Sequence, residues 1–218
     1  MVRLIMLSPP GGGKGTHGRW LTQQTGAAHI SSGDLLRAEI GRGSELGRQV
    51  AAYTARGDLV PDELILSILM PVVVAAARET GGYVLDGFPR TLPQAKRAAE
   101  LGLELGLTSD AAIYLTAPED ELVARLLDRA QRDGRADDTL GVIRHRLAVF
   151  SRETAPLVAY YRDRGILLEL STDRPEEDVR ADLRDWLEAR GLVVPADRLS
   201  GHRSFMPTST GVAMKIEE

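Results

Sequence analysis

Five short apolar segments alternate with longer helical segments along the chain, and this alternation constrains the fold more than any other feature. The segments are Arg3 to Leu7, Ala28 to Ile30, Tyr83 to Leu85, Ala111 to Leu115 and Ile166 to Leu170. Strands separated by helices pair in parallel, because each crossover helix brings the chain back to the same end of the sheet. The pattern predicts a three-layer α/β domain that binds ligands at the carboxyl ends of its strands.

Helix start and stop signals agree with this arrangement. Pro118 and Pro175 are each followed by three acidic residues, which is typical of the first turn of a helix. The helix after Pro175 should end near Gly191. Pro71 lies inside the helical segment from Asp62 to Arg78, where it lacks an N–H and either kinks or divides the helix.

Length and composition bound the class of protein. The 218 residues allow one domain of ordinary size, and 43% hydrophobic with 27% charged residues is typical of a globular protein. No stretch approaches ~20 consecutive apolar residues, and the first residues lack a signal-peptide pattern. We therefore expect a cytoplasmic protein without a membrane partner. The net charge of -4 also argues against nucleic-acid binding, which needs a basic face.

Cysteine and histidine usage narrows the chemistry. The chain has no cysteine, which excludes disulfides, thiolate zinc sites and thiol catalysis. Its four histidines show no metal-ligand spacing, so any metal should be held by oxygen atoms and no structural zinc is expected. No linker or repeat divides the chain. We expect one domain over residues 1–196, followed by a C-terminal arm or tail over 197–218 that is richer in Gly, Ser, Thr and Pro.

The first apolar segment runs into a glycine-rich loop that ends in Lys14-Gly15-Thr16 and leads into a helix. Such a loop lets backbone N–H groups wrap a phosphate, while Lys14 supplies a cation and the Thr16 hydroxyl reaches Mg²⁺ or phosphate. The usual phosphate-loop pattern is altered, because Ser8 stands at the first glycine and Gly15 separates the lysine from the threonine. The alternative is a glycine-rich turn with an incidental lysine, but the strand and helix on either side favour phosphate binding.

The loop and five further ordered motifs resemble the nucleoside monophosphate kinases, and among them the adenylate kinases. The motifs are Ile30 to Arg37, Gly57 to Leu64, Leu85 to Thr91 with Gln94, Arg135 to Asp138, and Thr154 to Leu157. The resemblance covers about residues 2–190. It implies a P-loop NTPase-type domain with a five-stranded parallel sheet, a segment over residues 31–60 that binds the nucleoside monophosphate, and a short lid over 126–138. It also implies a monomer that catalyses reversible Mg²⁺-dependent transfer from ATP to AMP, giving two ADP.

A second nucleotide needs groups for its phosphate and its base. Arg37 and Arg90 are planar cations that can hold a monophosphate bidentately, and Gln94 offers a donor and an acceptor that suit the edge of adenine. By resemblance the AMP-binding residues are Ser32, Arg37, Asp58, Leu59, Val60, Gly87, Phe88, Pro89, Arg90, Gln94, Arg135 and Arg146. Ser32 replaces the family's usual threonine but keeps the hydroxyl. Taken alone, each arginine is also compatible with a surface salt bridge.

The resemblance assigns the ATP side and the catalytic charges as well. It implies ATP binding by Gly11, Gly12, Gly13, Lys14, Gly15, Thr16, Arg125, Arg129 and Arg174, and catalysis by Lys14, Arg90, Arg129, Arg135 and Arg146. The arginines of residues 125–146 alternate with Asp128, Asp133, Asp137 and Asp138, so a solvated, internally paired helix face is the alternative. Arg174 is equally compatible with an exposed residue at a helix start.

Asp86 ends an apolar strand, where its carboxylate can anchor waters around Mg²⁺, and Thr16 is a second candidate near the metal. Asp34 either assists there or caps a helix. His17, where the family commonly has glutamine, is expected on a helix surface. Two rival functions remain at this point. One is a kinase that accepts UMP or CMP, and the other is a nucleotide-binding regulator without turnover.

Overall fold

The computed structural model describes residues 1–133 and 139–192. Its five strands are β1 Arg3–Leu7, β2 Ala28–Ser31, β3 Tyr83–Asp86, β4 Ala111–Thr116 and β5 Leu167–Ser171. They form one sheet in the order β2-β3-β1-β4-β5, and all neighbouring strands are parallel. The predicted α/β class and all five predicted strands are confirmed, each to within one residue at either end.

Helices connect the strands and extend the domain. They are α1 Lys14–Thr25, α2 Ser32–Gly41, α3 Glu45–Thr54, α4 Asp62–Thr80, α5 Leu92–Leu105, α6 Glu119–Asp133, α7 Leu140–Val149, α8 Pro156–Asp163 and α9 Glu176–Ala189. A π-helical turn, Phe150–Thr154, joins α7 to α8. The helices predicted after Pro118 and Pro175 are confirmed as α6 and α9. Among the described helices none is long and apolar enough to cross a membrane.

Pro71 lies within α4 and does not divide it. The buried positions Ile65, Leu69, Val73 and Ala76 follow helical spacing on both sides of the proline, and each is at most 5% exposed. Pro71 itself lies on the exposed side of the helix. Continuous packing of one face therefore outweighs the loss of one backbone hydrogen bond, and of the two alternatives a division at Pro71 is wrong.

The central strand β1 is covered on both faces, which gives the three layers. Leu4 and Met6 pack in a cluster with side chains of α1 and α9. Ile5 and Leu7, which point to the opposite face, pack with Ala95 of α5 and with side chains of α8. Residues Leu4 to Leu7 are therefore buried on both faces of the sheet and are all apolar, as expected for a parallel strand covered on both sides.

Helices α2 and α3 form a separate lobe beside the sheet. Leu36 of α2 and Val50 of α3 join a buried cluster with Leu69 of α4 and Leu85 of β3. Each of the two helices begins with a serine cap: Ser31 accepts from the backbone of Asp34, and Ser44 caps α3 in the same way. The lobe is thus held to the sheet through its shared packing with α4 and β3.

Candidate active site

A cleft of about 1060 Å³ opens at the carboxyl ends of the strands. It is lined by the loop after β1, by the segments after β2 and β3, and by parts of α6 and α7. Every predicted site residue within the described part of the chain lies on this cleft. Arg135, with Asp137 and Asp138, lies outside the described residues. The predicted location of ligands at this end of a parallel sheet is therefore where the cavity is found.

The loop after β1 requires glycine at two positions. Gly11 has φ +84°, and a Cβ placed there would lie 2.8 Å from the backbone oxygen of Leu122 on α6. Gly13 has φ +87° and precedes the first residue of α1. Positive φ angles are unfavourable for residues with a side chain, so glycine allows the loop to fold back tightly before the helix begins. Its backbone N–H groups and the amino end of α1 together favour an anion.

Lys14 is held within the loop by neutral oxygen atoms. Its Nζ donates to the carbonyl oxygen of Ser8 at 2.7 Å, to Ser8 Oγ at 3.1 Å and to the carbonyl oxygen of Pro9 at 3.2 Å. Burial lowers the pKa of Lys14 to about 8; Asp86 opposes this, while Arg90 and Arg129 add to it. The cation is thus partly desolvated and surrounded by further cations, so an anionic ligand would stabilise its charge.

The serine that replaces the loop's first glycine supports the loop instead of straining it. No non-glycine residue in residues 1–133 and 139–192 has a positive φ, so Ser8 adopts an ordinary backbone conformation. Its Oγ donates to the carbonyl oxygen of Pro9 at 2.7 Å and accepts from Lys14. The substitution therefore gives the lysine an extra hydrogen-bond partner that a glycine would lack.

The prediction that His17 lies on a helix surface is wrong. His17 is 4% exposed, and it shares the buried face of α1 with Trp20 and Leu21, three and four residues later. Its ring packs against the loop, because a Cβ on Gly13 would lie 3.2 Å from His17 Cδ2. Burial lowers its pKa, a shift that Glu176 opposes. The helical spacing to two large apolar residues was the signal that could have placed it correctly.

Arg90 is anchored at three points on the opposite side of the cleft. Its Nε donates to the carbonyl oxygen of Gly87, its backbone N–H donates to Gln94 Oε1, and its carbonyl oxygen accepts from Thr154 Oγ1, each at 2.8 Å. The surrounding protein removes water from the guanidinium and lowers its pKa; Asp86 opposes this shift. Thr154, at the end of the π-helical turn, is a positioning residue to which sequence reasoning gave no role.

Two polar side chains predicted to bind AMP are buried in this part of the cleft. Gln94 is 3% exposed, and its Nε2 donates to Asp62 Oδ1 at 2.7 Å. Ser32 is 1% exposed, and its Oγ has no hydrogen-bond partner within the described residues. A buried hydroxyl without a partner is costly, so Ser32 is poised to bond a ligand group.

Arg37 lines the cleft but pairs with Asp34 on the same helix. This is the surface salt bridge that the sequence left open as an alternative, and both side chains are more than half exposed. Asp34 is not the cap of α2, because Ser31 Oγ accepts from the backbone N–H of Asp34 at 3.2 Å. Since an exposed pair contributes little, exchanging Asp34 for a phosphate would cost Arg37 little free energy.

The remaining arginines of the cleft differ in the residues with which they pair. Arg125 donates to Thr172 Oγ1 at 3.2 Å and to its carbonyl oxygen at 2.9 Å, which ties α6 to the end of β5. Arg174 contacts Asp182 at 2.5 Å and so resembles the exposed helix-start alternative. Arg132 pairs with Asp128 at 2.9 Å, as expected for a paired helix face. Arg129 and Arg146 line the cleft as well.

Gly87 offers a test of how closely this site is packed. It has φ +82°, and a Cβ there would lie 2.4 Å from Ser32 Oγ and 3.3 Å from an Nη atom of Arg90. We expect Gly87→Ala to raise the KM for the acceptor nucleotide at least about tenfold, because both side chains must move. Gly106→Ala is the matched control, since Gly106 also has a positive φ but open space around it. Both variants should lose roughly 1–2 kcal/mol in thermal unfolding, and equal KM values would contradict the close packing.

The residues at the strand ends suit a hydrated divalent cation. Asp86 ends β3 and lines the cleft while only 9% exposed, and the Thr16 hydroxyl lies in the first turn of α1. Within the described residues no group of three or more His, Asp or Glu side chains converges. One carboxylate and one hydroxyl fit Mg²⁺, which keeps several waters and takes further ligands from phosphates.

Comparisons with known proteins all indicate the same family. The adenylate kinase family model matches residues 6–166. The adenylate kinase of Thermobifida fusca (strain YX) is 40% identical over 189 residues, covering 87% of this chain and 100% of that protein. The adenylate kinase of Leifsonia xyli subsp. xyli (strain CTCB07) is 43% identical over 190 residues, covering 87% and 95%. With its phosphate loop, opposed arginines and parallel sheet, the chain belongs to the adenylate kinase family of nucleotide phosphotransferases.

Proposed function

We propose that the protein catalyses ATP + AMP ⇌ 2 ADP with Mg²⁺. The supporting observation is that Lys14 of the loop and Arg90 of the opposite wall lie on one cleft and act on each other electrostatically. Two anion-binding groups that face one cavity suit two phosphorylated ligands whose phosphates meet between them. A nucleotide hydrolase uses water as its acceptor and has no acceptor phosphate to bind.

The proposed roles follow the two walls. The glycine loop, Lys14 and Thr16 bind the ATP phosphates, while Arg37 and Arg90 bind the AMP phosphate. Ser32 and Gln94 contact the adenine of AMP. Arg129 and Arg146, with Arg135, offset the charge on the transferred group. No general base is required, because the acceptor phosphate is already anionic and the protein acts by alignment and electrostatic stabilisation.

Asp86, through water, and Thr16 would hold the Mg²⁺. When bound, the cation neutralises charge on the donor phosphates. The desolvated Lys14, whose charge Asp86 stabilises, complements it from within the loop. Asp86 pairs in register with Met6, just before the phosphate loop, and Thr16 lies in the first turn of the helix that follows the loop.

Closure is part of the proposal. Residues 31–60 and 126–138 are proposed to move toward the sheet when both nucleotides bind, which excludes water as a competing acceptor. The lobe of α2 and α3 supplies most of the first of these segments. The domain of residues 1–196 with its separate arm over 197–218, a cytoplasmic location and a monomeric state belong to the same proposal.

The free enzyme should lose affinity for ATP as Lys14 deprotonates. The pKa of Lys14 is lowered to about 8, so its charge is present below that pH and is lost as the pH rises through it. We expect kcat/KM for ATP to fall above about pH 8, because this parameter reports the free enzyme. Lys14→Arg should abolish this fall in kcat/KM, since a guanidinium stays charged. If the arginine variant showed the same fall above pH 8, the fall would have to be assigned to a group other than Lys14.

An acceptor panel tests the proposed function. Transfer from Mg²⁺-ATP is measured with AMP, CMP, UMP and GMP in parallel, with a control lacking acceptor to measure hydrolysis. A preference for AMP is expected from Ser32 and Gln94. A preference for a pyrimidine would retain the mechanism and overturn the base site. Tight ATP binding without transfer would make the protein a nucleotide-binding regulator.

A further inference from the structure

The amide of Gln94 is held at both ends by partners that differ in kind. Its Oε1 accepts from the backbone N–H of Arg90 at 2.8 Å, and its Nε2 donates to Asp62 Oδ1 at 2.7 Å. Gln94 itself is buried and lies on the cleft. Asp62, the first residue of α4, is solvent-exposed and lies 32 positions earlier in the chain.

These two contacts decide which way round the amide lies. A backbone N–H only donates and an ionised carboxylate only accepts, so a flipped amide would oppose donor to donor and acceptor to acceptor. Most glutamine side chains can turn their amide by half a rotation to suit a ligand. In Gln94 that freedom is removed, and what remains for a ligand is one N–H of Nε2 and one lone pair of Oε1.

The fixed orientation distinguishes two classes of purine. Adenine presents a donor at N6 beside an acceptor at N1, whereas a 6-oxopurine presents an acceptor at O6 beside a donor at N1. An amide free to turn would pair with either edge. An amide held in a single orientation pairs with the edge of only one purine class. Against the edge of the other class it places donor against donor and acceptor against acceptor, which leaves buried polar groups unpaired.

We propose that Asp62 is a specificity-determining residue that selects 6-amino over 6-oxo purine monophosphates by fixing the amide of Gln94. It acts as a positioning residue, because it lies outside the cleft and touches Gln94 instead of the base. The proposal rests on the proposed function, since it assumes that Gln94 contacts the acceptor base. It extends that function by naming the residue that orients the contact.

The test compares AMP with IMP as acceptors in Asp62→Asn and Glu63→Gln. The asparagine can either accept or donate, so one of the two constraints on Gln94 is lost while side-chain size is kept. Glu63 is the other acidic residue in the first turn of α4. Glu63→Gln is the control, because it also replaces a carboxylate by an amide of the same size. Thermal unfolding of both variants measures any loss of stability that follows from changing the first turn of α4.

We expect Asp62→Asn to lower the AMP-to-IMP ratio of kcat/KM about tenfold. The KM for AMP should rise, kcat for AMP should stay within about twofold, and kcat/KM for IMP should increase. A merely structural defect would lower activity with both acceptors. The proposal is overturned by an unchanged ratio in Asp62→Asn, by a ratio that falls without any gain for IMP, or by an equal fall in Glu63→Gln. A wild type without AMP preference would instead overturn the proposed base contact, and the proposal with it.

Discussion

The Lys14→Ala variant should transfer phosphoryl groups about 10²–10³-fold more slowly than the wild type at saturating ATP and AMP. Lys14 is the cation of the loop, its Nζ is desolvated, and its hydrogen-bond partners in the loop are neutral oxygens. Losing one preorganised donor aimed at developing charge typically costs this much in kcat. The measurement is kcat in both directions, from ATP with AMP and from ADP alone.

Lys96→Ala is the matched control for this variant. Lys96 lies on the exposed face of α5 and does not line the cleft. It should leave kcat within about twofold, while both variants keep a cooperative thermal transition. A Lys14→Ala enzyme that turned over at near-normal rates would show that the Lys14 side chain does not contribute to catalysis.

The Arg90→Ala variant should lose about 10²–10³-fold in kcat/KM for AMP. The guanidinium would be removed from the acceptor wall of the cleft, together with its contact to Gly87. The fold should survive, because the bonds that join Arg90 to Gln94 and Thr154 use its backbone N–H and carbonyl oxygen. Those two bonds remain in the alanine variant and keep the neighbouring side chains in place.

Arg97→Ala is the matched control, because it removes an arginine from α5, the helix that follows Arg90 in the chain. Arg97 is exposed on α5 and pairs with Glu100 at 3.0 Å, so its removal should change kcat/KM by less than about twofold. Arg90→Lys separates charge from shape, since lysine keeps the charge but cannot form the bidentate contact. Full activity in Arg90→Ala would remove this residue from the acceptor site.

The fold was predictable because its signals are local. A strand such as β1 carries four consecutive apolar residues because both of its faces are covered, and helices such as α6 begin with acidic residues after proline. Pro71 was harder to interpret from sequence alone. Its effect depends on whether the buried face of α4 packs continuously, and that is set by the cluster around Leu69 and not by the proline.

The residues of the candidate site were also predicted only in part. Residues that carry their chemistry on their own side chains, such as Lys14 and Arg90, were predicted and lie on the cleft. Residues that act through another residue were missed. Thr154 and Asp62 contact Arg90 and Gln94 across 64 and 32 positions of the chain. Such pairings depend on tertiary packing, and no spacing in the sequence predicts them.

Incubating the protein with Mg²⁺ and ADP alone tests the central claim most directly. Transfer between two nucleotides bound on opposite walls of one cleft predicts that ATP and AMP form in equal amounts, without release of inorganic phosphate, and that Lys14→Ala forms both far more slowly. Release of phosphate with no ATP formed would contradict the account, because it would show that water and not a second nucleotide occupies the acceptor wall.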